Sequence, residues 1–313
     1  MWNQFSRATV VALALVVASD TAAFSQQQEL KWKFRPGQRL DYVVQQEMKM
    51  SMDYNGRAIG STMKQTIDTQ WLVNRINANG NAEIVQNIKR IRIVMMQGDQ
   101  VQVEFDSASK DKTAAGTPMA QIFGELIKAQ IQTIMLPTGK IVQTNVPPKL
   151  LETLKTAPGV GQAGFSEESL KQMFNQSGVI MPQTPVGVGS KWTSKNEVQT
   201  PTGQMIFNST LEFRGMQDYQ NRKFARIDLT PSVRMVVDPN SPVKVQVKNT
   251  TGKGAVLFDH VGGFIERTKL NSKMVLTVTQ AGESIDQTID QTVTMTRVPN
   301  RIAAAPTGRP RNE

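Results

Sequence analysis

Residues 40–54 read Leu-Asp-Tyr-Val-Val-Gln-Gln-Glu-Met-Lys-Met-Ser-Met-Asp-Tyr, and Asn55-Gly56 follows them directly. The even-numbered positions are mostly apolar and the odd-numbered positions mostly polar, which is typical of a half-buried β-strand. At about 3.3 Å per residue the stretch spans roughly 50 Å, whereas a common strand has about five or six residues. The sequence therefore predicts one unusually long strand with a single apolar face.

The dipeptide Asn55-Gly56 predicts a hairpin with a two-residue loop. Such a loop fixes the register of the next strand, and every apolar residue then meets an apolar partner. The predicted pairs are Met52 with Ile59, Met48 with Met63, Val44 with Ile67, and Leu40 with Trp71. The loop and the alternation are independent signals, and their agreement supports the hairpin.

Further strands are expected over 82–96 and 101–105, with a bulge near Lys89-Arg90, because the apolar phase shifts between Ile88 and Ile91. The middle of the chain predicts short amphipathic helices instead of strands. Their expected ranges are 118–129, 148–156 and 166–176. The last part returns to alternating strands, with a hairpin that turns near Ala281-Gly282.

Two similar openings indicate an internal repeat. Pro36-Gly37-x-x-Leu40 opens the first half of the chain, and Val188-Gly189-x-x-Trp192 opens the second. We therefore expect a single β-rich domain over 26–299. Its two degenerate halves are expected at about 30–146 and 186–299, joined by a helical segment at 147–180. The predicted fold is mainly β: a duplicated, strongly curved, half-barrel-like antiparallel sheet of long strands with two or three short covering helices.

Both ends of the chain have distinct compositions. Arg7, the apolar run 8–18 and Ala23-Phe24-Ser25 form the three-part pattern of a secretory signal peptide over 1–25, cleaved near Ser25. We therefore expect a soluble, exported protein of the periplasm or the extracellular space. Residues 300–313 are rich in Pro, Ala and Arg without an apolar period, which predicts a disordered basic tail.

Charge and cysteine content limit the partners. With 36 Lys and Arg against 26 Asp and Glu, the net charge is +10, which favours an anionic envelope surface or simply charge spread over polar strand faces. No basic run reaches five residues, so no nucleic-acid patch is predicted. The chain has no cysteine, which excludes disulfides and thiolate chemistry. No other apolar run is long enough to span a membrane.

Two blocks carry a resemblance to a known family. They are Leu30-Lys-Trp-Lys-Phe-Arg-Pro-Gly37-Gln-Arg-Leu and Met181-Pro-Gln-Thr-Pro-Val-Gly-Val-Gly189-Ser-Lys-Trp192. They resemble an uncharacterised family of exported, β-rich bacterial proteins of unknown function, so the resemblance implies no catalytic residue. In architecture alone the predicted fold is also similar to periplasmic lipoprotein-carrier half-barrels, which hold acyl chains against an apolar concave sheet.

Signals for catalysis are sparse. The single histidine, His260, follows Asp259 directly, and neighbours on a strand point to opposite faces, so we expect a turn histidine. Gly159-Val-Gly161-Gln-Ala-Gly164 has nucleotide-loop spacing but follows a predicted helix where a strand is required. We expect Glu104, Asp106, Asp286 and Asp290 to lie at solvent-exposed positions on strands. No catalytic residue and no cofactor is predicted, and a carboxylate-dependent hydrolase stays an alternative.

Met48, Met50 and Met52 lie on one predicted strand face. Thioethers are soft ligands for Cu(I), but methionine also fills irregular core space. These methionines lie opposite Met63, but Ile59, Ile67 and Trp71 on the second strand are purely apolar and favour the core interpretation, so no metal site is predicted.

The apolar face of the hairpin is the candidate ligand-binding surface. A face this large must be covered, and short helices leave room for an acyl chain. The candidate residues are Leu40, Tyr42, Val44, Gln46, Met48, Met50, Met52, Ile59, Met63, Gln65, Ile67 and Trp71. We expect a non-enzymatic binding or envelope-accessory protein that holds a lipid or another apolar ligand; a structural protein–protein role in the envelope is the other alternative.

The hairpin register generates a first prediction. Gly56 is expected at positive φ in a type I′ turn, so Gly56→Val should lower the free energy of unfolding by more than about 1 kcal/mol. Thermal denaturation measures this loss. A melting curve that coincides with that of the unmodified protein would contradict the proposed turn.

Overall fold

The structure, a computed structural model, describes residues 27–54, 57–109, 118–156, 179–200 and 202–299. Within these ranges the chain forms a 12-stranded open sheet and two short helices, and every strand pairing is antiparallel. The first six strands are β1 (Arg39–Tyr54), β2 (Arg57–Ile76), β3 (Ala82–Gln97), β4 (Gln100–Asp106), β5 (Gln130–Met135) and β6 (Ile141–Asn145). The other six are β7 (Lys191–Thr200), β8 (Gly203–Tyr219), β9 (Arg222–Val237), β10 (Val243–Asp259), β11 (Phe264–Gln280) and β12 (Glu283–Val298). The helices are α1 (Pro118–Lys128) and α2 (Pro148–Thr156). The predicted mainly β, curved-sheet fold is confirmed.

The strand order is β6-β5-β3-β2-β1-β12-β11-β10-β9-β8-β7, with β4 paired to β3 beside this path. The first and the last long strand are therefore neighbours: β1 pairs with β12 from Asp41–Val298 to Met52–Gln287. This pairing joins the two halves of the chain in the middle of one sheet. The degenerate duplication and the domain boundaries stay predictions.

The predicted register of the β1–β2 hairpin is confirmed: all four apolar pairs, from Leu40–Trp71 to Met52–Ile59, lie opposite each other. Residues 55–56, where the turn was predicted, lie outside the described residues. The predicted bulge in β3 is also found. Arg90 lies opposite Asp68, and Ile88 lies opposite Thr69, so Lys89 has no partner on β2. Because of this extra residue, Ile88 and Ile91 are both buried on the same side of the sheet.

The strand register collects the apolar side chains on one side, which we call the apolar face. Residues that are paired across neighbouring strands point to the same side. One row of such residues crosses the sheet from β2 to β8. Its members are Ile67, Val44, Met295, Thr268, Val256, Ile227 and Phe213. The opposite, polar face carries alternate residues such as Glu47, Lys49 and Thr292.

A cluster of buried side chains, the base core, covers one end of the apolar face. Trp32, which precedes β1, is its centre: it stacks on Phe34 with ring centroids 5.5 Å apart and lies 5.8 Å from Trp71. The ring of Phe258 meets Trp32 edge-on at 6.1 Å. Strands from both halves contribute to this cluster, among them Leu40, Tyr42, Ile84, Phe213, Ile227 and Ile265. One aromatic residue from an irregular segment thus fills the space between distant strands.

Two irregular segments bridge distant parts of the sheet at this end. The first segment contains Trp32 and Lys33 and runs from the β5–β6 turn to the β10–β11 turn. The backbone N–H of Trp32 donates to the carbonyl of Pro137, and that of Lys33 donates to the carbonyl of Gly263. The second, 179–186, begins beside the β5–β6 turn, where Met181 N–H donates to Thr138 at 2.7 Å. It also accepts from β7, because Trp192 Nε1 donates to the carbonyl of Ile180 at 2.8 Å. The sheet therefore curves enough to bring its two ends within reach of one short segment.

The two described helices cover a second part of the apolar face. Both begin at a proline, whose fixed φ suits the first helical position. Ile122, Phe123 and Leu126 of α1 and Leu150 of α2 belong to a cluster with buried isoleucines of β3 and β5. The third predicted helix, at 166–176, lies outside the described residues.

A largely buried ion pair joins β11 and β12, beside β1. Arg297 Nε on β12 donates to Glu266 Oε2 on β11 at 2.8 Å, and the guanidinium lies 4.7 Å from the centre of the Phe264 ring. On the adjacent β1, the hydroxyl of Tyr42 donates to the carbonyl of Ile265 at 3.1 Å. Burial raises the pKa of Tyr42 well above its usual range, so this hydroxyl stays a donor. Side-chain hydrogen bonds and the ion pair therefore join the central strands in addition to their backbone hydrogen bonds.

The ion pair predicts strong coupling between its partners. Arg297→Met leaves the buried Glu266 carboxylate without its partner and should cost about 3–5 kcal/mol of unfolding free energy. Glu266→Met should cost less, because the Arg297 guanidinium is partly exposed. The double variant should cost less than the sum of the two, because it removes both charges. Urea denaturation of the four proteins measures the coupling. Strictly additive losses would show that the two groups do not depend on each other.

The close packing of Trp32 against Gly139, in the β5–β6 turn, leads to a prediction about stability. Gly139 has φ +85°, and a Cβ there would lie 2.5 Å from Trp32 Nε1 and 2.7 Å from the carbonyl oxygen of Val179. Gly189 is the matched control, since its φ is +87° but nothing lies within 4 Å of its added Cβ. Gly189→Ala should cost about 1–2 kcal/mol of stability. Gly139→Ala should cost at least about 1 kcal/mol more, because Trp32 must move; equal losses in chemical denaturation would contradict this packing.

Candidate ligand-binding site

An open cavity of about 360 Å³, the apolar cavity, lies on the apolar face beside the base core. Its volume is within the usual range for small-molecule sites, which is about 300–1,000 Å³. Six strands from both halves contribute to its wall, and residues 179–180 close one side. Its main apolar side chains are Val44, Phe207, Leu229, Leu270, Val293 and Met295.

The sheet register explains why these side chains converge. Val44 of β1 lies opposite Met295 of β12, and Val293 of β12 lies opposite Leu270 of β11. On the other side of the cavity, Leu229 of β9 lies opposite Leu211 of β8. Leu211 also belongs to the base core, so the core forms one boundary of the cavity. The cavity is the part of the apolar face that remains where the base core ends.

Uncharged polar groups lie among these apolar side chains. Ser194 of β7 is opposite Ser209 of β8, and Asn196 is opposite Phe207. Thr268 also lines the cavity, and its buried hydroxyl has no hydrogen-bond partner in the described part of the chain. None of the described residues that line the cavity carries a charge. The site is therefore suited to an apolar ligand with an uncharged polar group.

The structure separates the candidate residues into groups. Leu40, Tyr42 and Trp71 are fully enclosed in the base core, so the protein's own side chains surround them. Met63 and Ile67 pack against the cluster under α1 and α2. Much of the space that we expected between the hairpin and the helices is therefore filled with protein.

The remaining candidates lie nearer to open space. Val44 lines the apolar cavity. Gln46 and Gln65 are opposite each other on the apolar face, and the Met52–Ile59 pair lies towards the hairpin turn, where Ile59 is exposed. Met48, Met50 and Met63 line a separate cavity, described below. Their role in ligand binding stays a prediction.

Most of the wall of the apolar cavity was missed from the sequence. Phe207, Leu229, Leu270 and Val293 all come from the second half of the chain. The sequence did predict alternating strands in the last part of the chain. What the pattern did not contain was the pairing of β12 with β1, which places both halves around one cavity.

A second cavity of about 240 Å³, the methionine cavity, lies on the apolar face towards the free end of the β1–β2 hairpin. Met48 and Met50 of β1, Met63 of β2 and Met95 of β3 line it. It borders the cluster under the helices, since Met63 and Met95 pack against that cluster.

A wide concavity of about 930 Å³ lies mainly on the polar face. Two of its three lysines lie next to acids: Lys49 is 3.3 Å from Glu47, and Lys273 is 4.0 Å from Asp290. It is larger than the apolar cavity but has no concentrated charge of one sign. We therefore assign the better-defined site to the apolar face.

The residues weighed for catalysis do not form a triad. His260 lies in the turn between β10 and β11, as predicted. The carboxylate of Asp259 accepts from the backbone N–H groups of Val261 and Gly262 and from Arg222, so its described bonds do not orient the imidazole. Its role is to hold the turn and the neighbouring β9.

Two of the four carboxylates weighed for hydrolysis, Asp106 and Asp286, are held by donors. Arg90 contacts both oxygens of Asp106, and its hydrogen bonds hold the pKa of that carboxyl well below its usual range. Thr277 and then Lys248 lower the pKa of Asp286. A general acid needs a raised pKa, which is the opposite shift. Over the described ranges, no three His, Asp or Glu side chains are grouped so that they could hold a metal ion.

Where the chain is described, neither helix has the length and apolar character needed to cross a membrane.

The model of one protein family, DUF6263, matches residues 79–265, which is more than half of the chain. It is described as a family of unknown function, in agreement with the predicted resemblance. No curated protein matches the chain.

Several solved structures are similar to the sheet at low identity. A lipovitellin structure, titled for its lipid–protein interactions, has a TM-score of 0.46 at 10% identity, covering 85% of this chain and 25% of that one. The chain thus spans about a quarter of the lipovitellin chain. Pseudomonas aeruginosa OccK5 (OpdH) has a TM-score of 0.28 at 8% identity, covering 84% and 99%. A putative outer membrane lipoprotein-sorting protein domain from Vibrio parahaemolyticus has a TM-score of 0.17 at 8% identity, covering 80% and 83%. Likeness at this level says nothing about what the chain binds.

Proposed function

We propose that this chain, which belongs to the DUF6263 family of unknown function, is an exported binding protein that holds a neutral lipid in the apolar cavity. One observation carries the proposal: a cavity of about 360 Å³ with a largely apolar wall and no charged residue among its described lining residues. Export follows from the signal peptide predicted at 1–25, which lies outside the described residues.

Burial of hydrocarbon supplies the affinity. Each methylene group that leaves water contributes about 0.8 kcal/mol, so about ten of them contribute roughly 8 kcal/mol. Immobilising the ligand offsets part of this gain. A single acyl chain should therefore bind with a dissociation constant in the micromolar range or weaker.

The polar groups of the cavity favour a neutral ligand. A carboxylate or phosphate would lose its hydration in this site without meeting a described cation, which is costly. An ester or a hydroxyl group, by contrast, forms ordinary hydrogen bonds with the hydroxyl groups of Ser194, Ser209 and Thr268 or the amide of Asn196. An acylglycerol-like lipid fits these donors and acceptors better than a fatty acid does.

The other predicted roles have less support. The lowered pKa values of Asp106 and Asp286 do not suit the acid of a carboxylate-dependent hydrolase. A purely structural protein–protein role does not explain the apolar cavity, because a surface that only contacts proteins does not require a concave apolar site. The basic net charge can add attraction to an anionic envelope surface, apart from the cavity.

Two substitutions on one strand test the location of the site. Val233 of β9 lines the cavity, whereas Val236 of the same strand is exposed on the polar face. Titration with a fluorescent monoacylglycerol should show saturable binding of one molecule per chain. Val233→Trp should weaken it at least tenfold by filling the cavity, and Val236→Trp should leave it unchanged. Equal effects of the two variants would contradict the location.

A fatty acid with the same labelled chain tests the lipid class. Its ionised form should bind at least tenfold more weakly than the monoacylglycerol, because the cavity offers no described cation. Equal binding of both lipids would contradict the neutral class and leave the site intact. No saturable binding of either lipid would overturn the proposed function.

A further inference from the structure

Methionine side chains of three adjacent strands meet in the methionine cavity. Met48 of β1 lies opposite Met63 of β2, and Met63 lies opposite Met95 of β3. Met50 lies two residues along β1, on the same face, and lines the same cavity of about 240 Å³. Three opposed thioethers, with Met50 beside them, thus border one open space, which Met96 of β3 also lines.

The bulge in β3 creates this row. Between Ile84 and Ile88 the register of β3 against β2, if continued, would place Val94 opposite Met63. The extra residue, Lys89, shifts the register by one, so that Met95 takes that place. The shift also determines the face, because side chains alternate along a strand and a one-residue slip exchanges the two sides. Met95 therefore points to the same side as Met48 and Met63.

These methionines are not ordinary core residues. Met48, Met50, Met63 and Met95 are all only half-buried, whereas the adjacent isoleucines Ile91 and Ile93 are buried. The sequence favoured a plain core because the partners recognised on β2 were mainly aliphatic and aromatic. The structure adds Met95 from a third strand and open space in front of the thioethers.

The chemistry of this group matches a soft monovalent cation. Thioethers are soft, neutral ligands that select Cu(I) over hard ions such as Mg²⁺ and Ca²⁺. Directly opposed residues on antiparallel strands have Cβ atoms about 4.5–5.5 Å apart, and methionine has three rotatable bonds. Sulfur atoms of neighbouring strands can therefore converge on one ion. Because the site is half-exposed, water limits the cost of holding a cation there.

We propose that Met48, Met63 and Met95 form a binding site for Cu(I), with Met50 as an additional thioether. The site binds the ion without changing its oxidation state, so no electron transfer is involved. It is separate from the apolar cavity and does not depend on the proposed lipid function, since the described linings of the two cavities have no residue in common.

Metal binding by the full chain is the first test. Under anaerobic, reducing conditions, competition with a chromophoric Cu(I) chelator should show one Cu(I) per chain. The Met48/Met63/Met95→Leu variant should lose at least a hundredfold in affinity, and each single variant at least tenfold. A Met205/Met235/Met274→Leu variant is the matched control. It removes the same number of half-buried methionines from the apolar face, including the opposed pair Met205–Met235, and should bind as the unmodified protein does.

Methyl resonances of the unmodified protein give an answer that does not depend on variants. With ¹³C-methyl-labelled methionine and Ag(I) as a redox-inert substitute, the signals of Met48, Met63 and Met95 should shift and saturate at one equivalent. Those of Met205, Met235 and Met274 should not. Absence of stoichiometric binding, or equal loss in the two triple variants, would overturn the proposal. So would shifts spread evenly over all methionines.

Discussion

Alternation along long antiparallel strands is the constraint from which this structure follows. Because neighbouring side chains point to opposite faces and paired residues share a face, the register collects the apolar groups on one side. A one-residue error in any strand would move that strand's apolar set into solvent. In β3 the apolar pattern changes phase, and the bulge at Lys89 compensates for that change. Because of this extra residue, the apolar side chains before and after the bulge point to the same face.

An apolar face of this extent has to be covered, and the chain covers it unevenly. The base core fills one end through Trp32 and its aromatic neighbours, and α1 and α2 cover the part that β3 and β5 contribute. Two cavities remain where these described covers stop. They differ in chemistry because the sheet differs locally: mixed aliphatic and small polar residues surround one, and thioethers surround the other. The candidate functions thus follow from what the scaffold leaves uncovered.

Local features of the fold were predictable and distant ones were not. The β1–β2 register followed from a two-residue loop and from alternation, which are both readable within one stretch of sequence, and the β3 bulge followed from a phase change in the same region. The pairing of β1 with β12 has no such signal, because any long amphipathic strand satisfies the same pattern. For this reason Val44 was included in the candidate site, whereas Phe207, Leu229 and Leu270 were missed. The position of Met95 was not predicted for the same reason, because its place opposite Met63 depends on how β3 pairs with β2.

The β1–β12 pairing also has a consequence for how the chain folds. Residues 41–52 of the central strand pair with residues 287–298, which lie far away in the sequence. Contacts between residues so far apart in sequence slow folding, because a long loop must close before any energy is gained. Until residues 287–298 are available, the β1–β2 hairpin therefore has one unpaired edge. An unpaired strand edge of this length can pair with another chain and cause aggregation. Correct folding therefore requires β12 to pair with β1 faster than a second copy of the protein does.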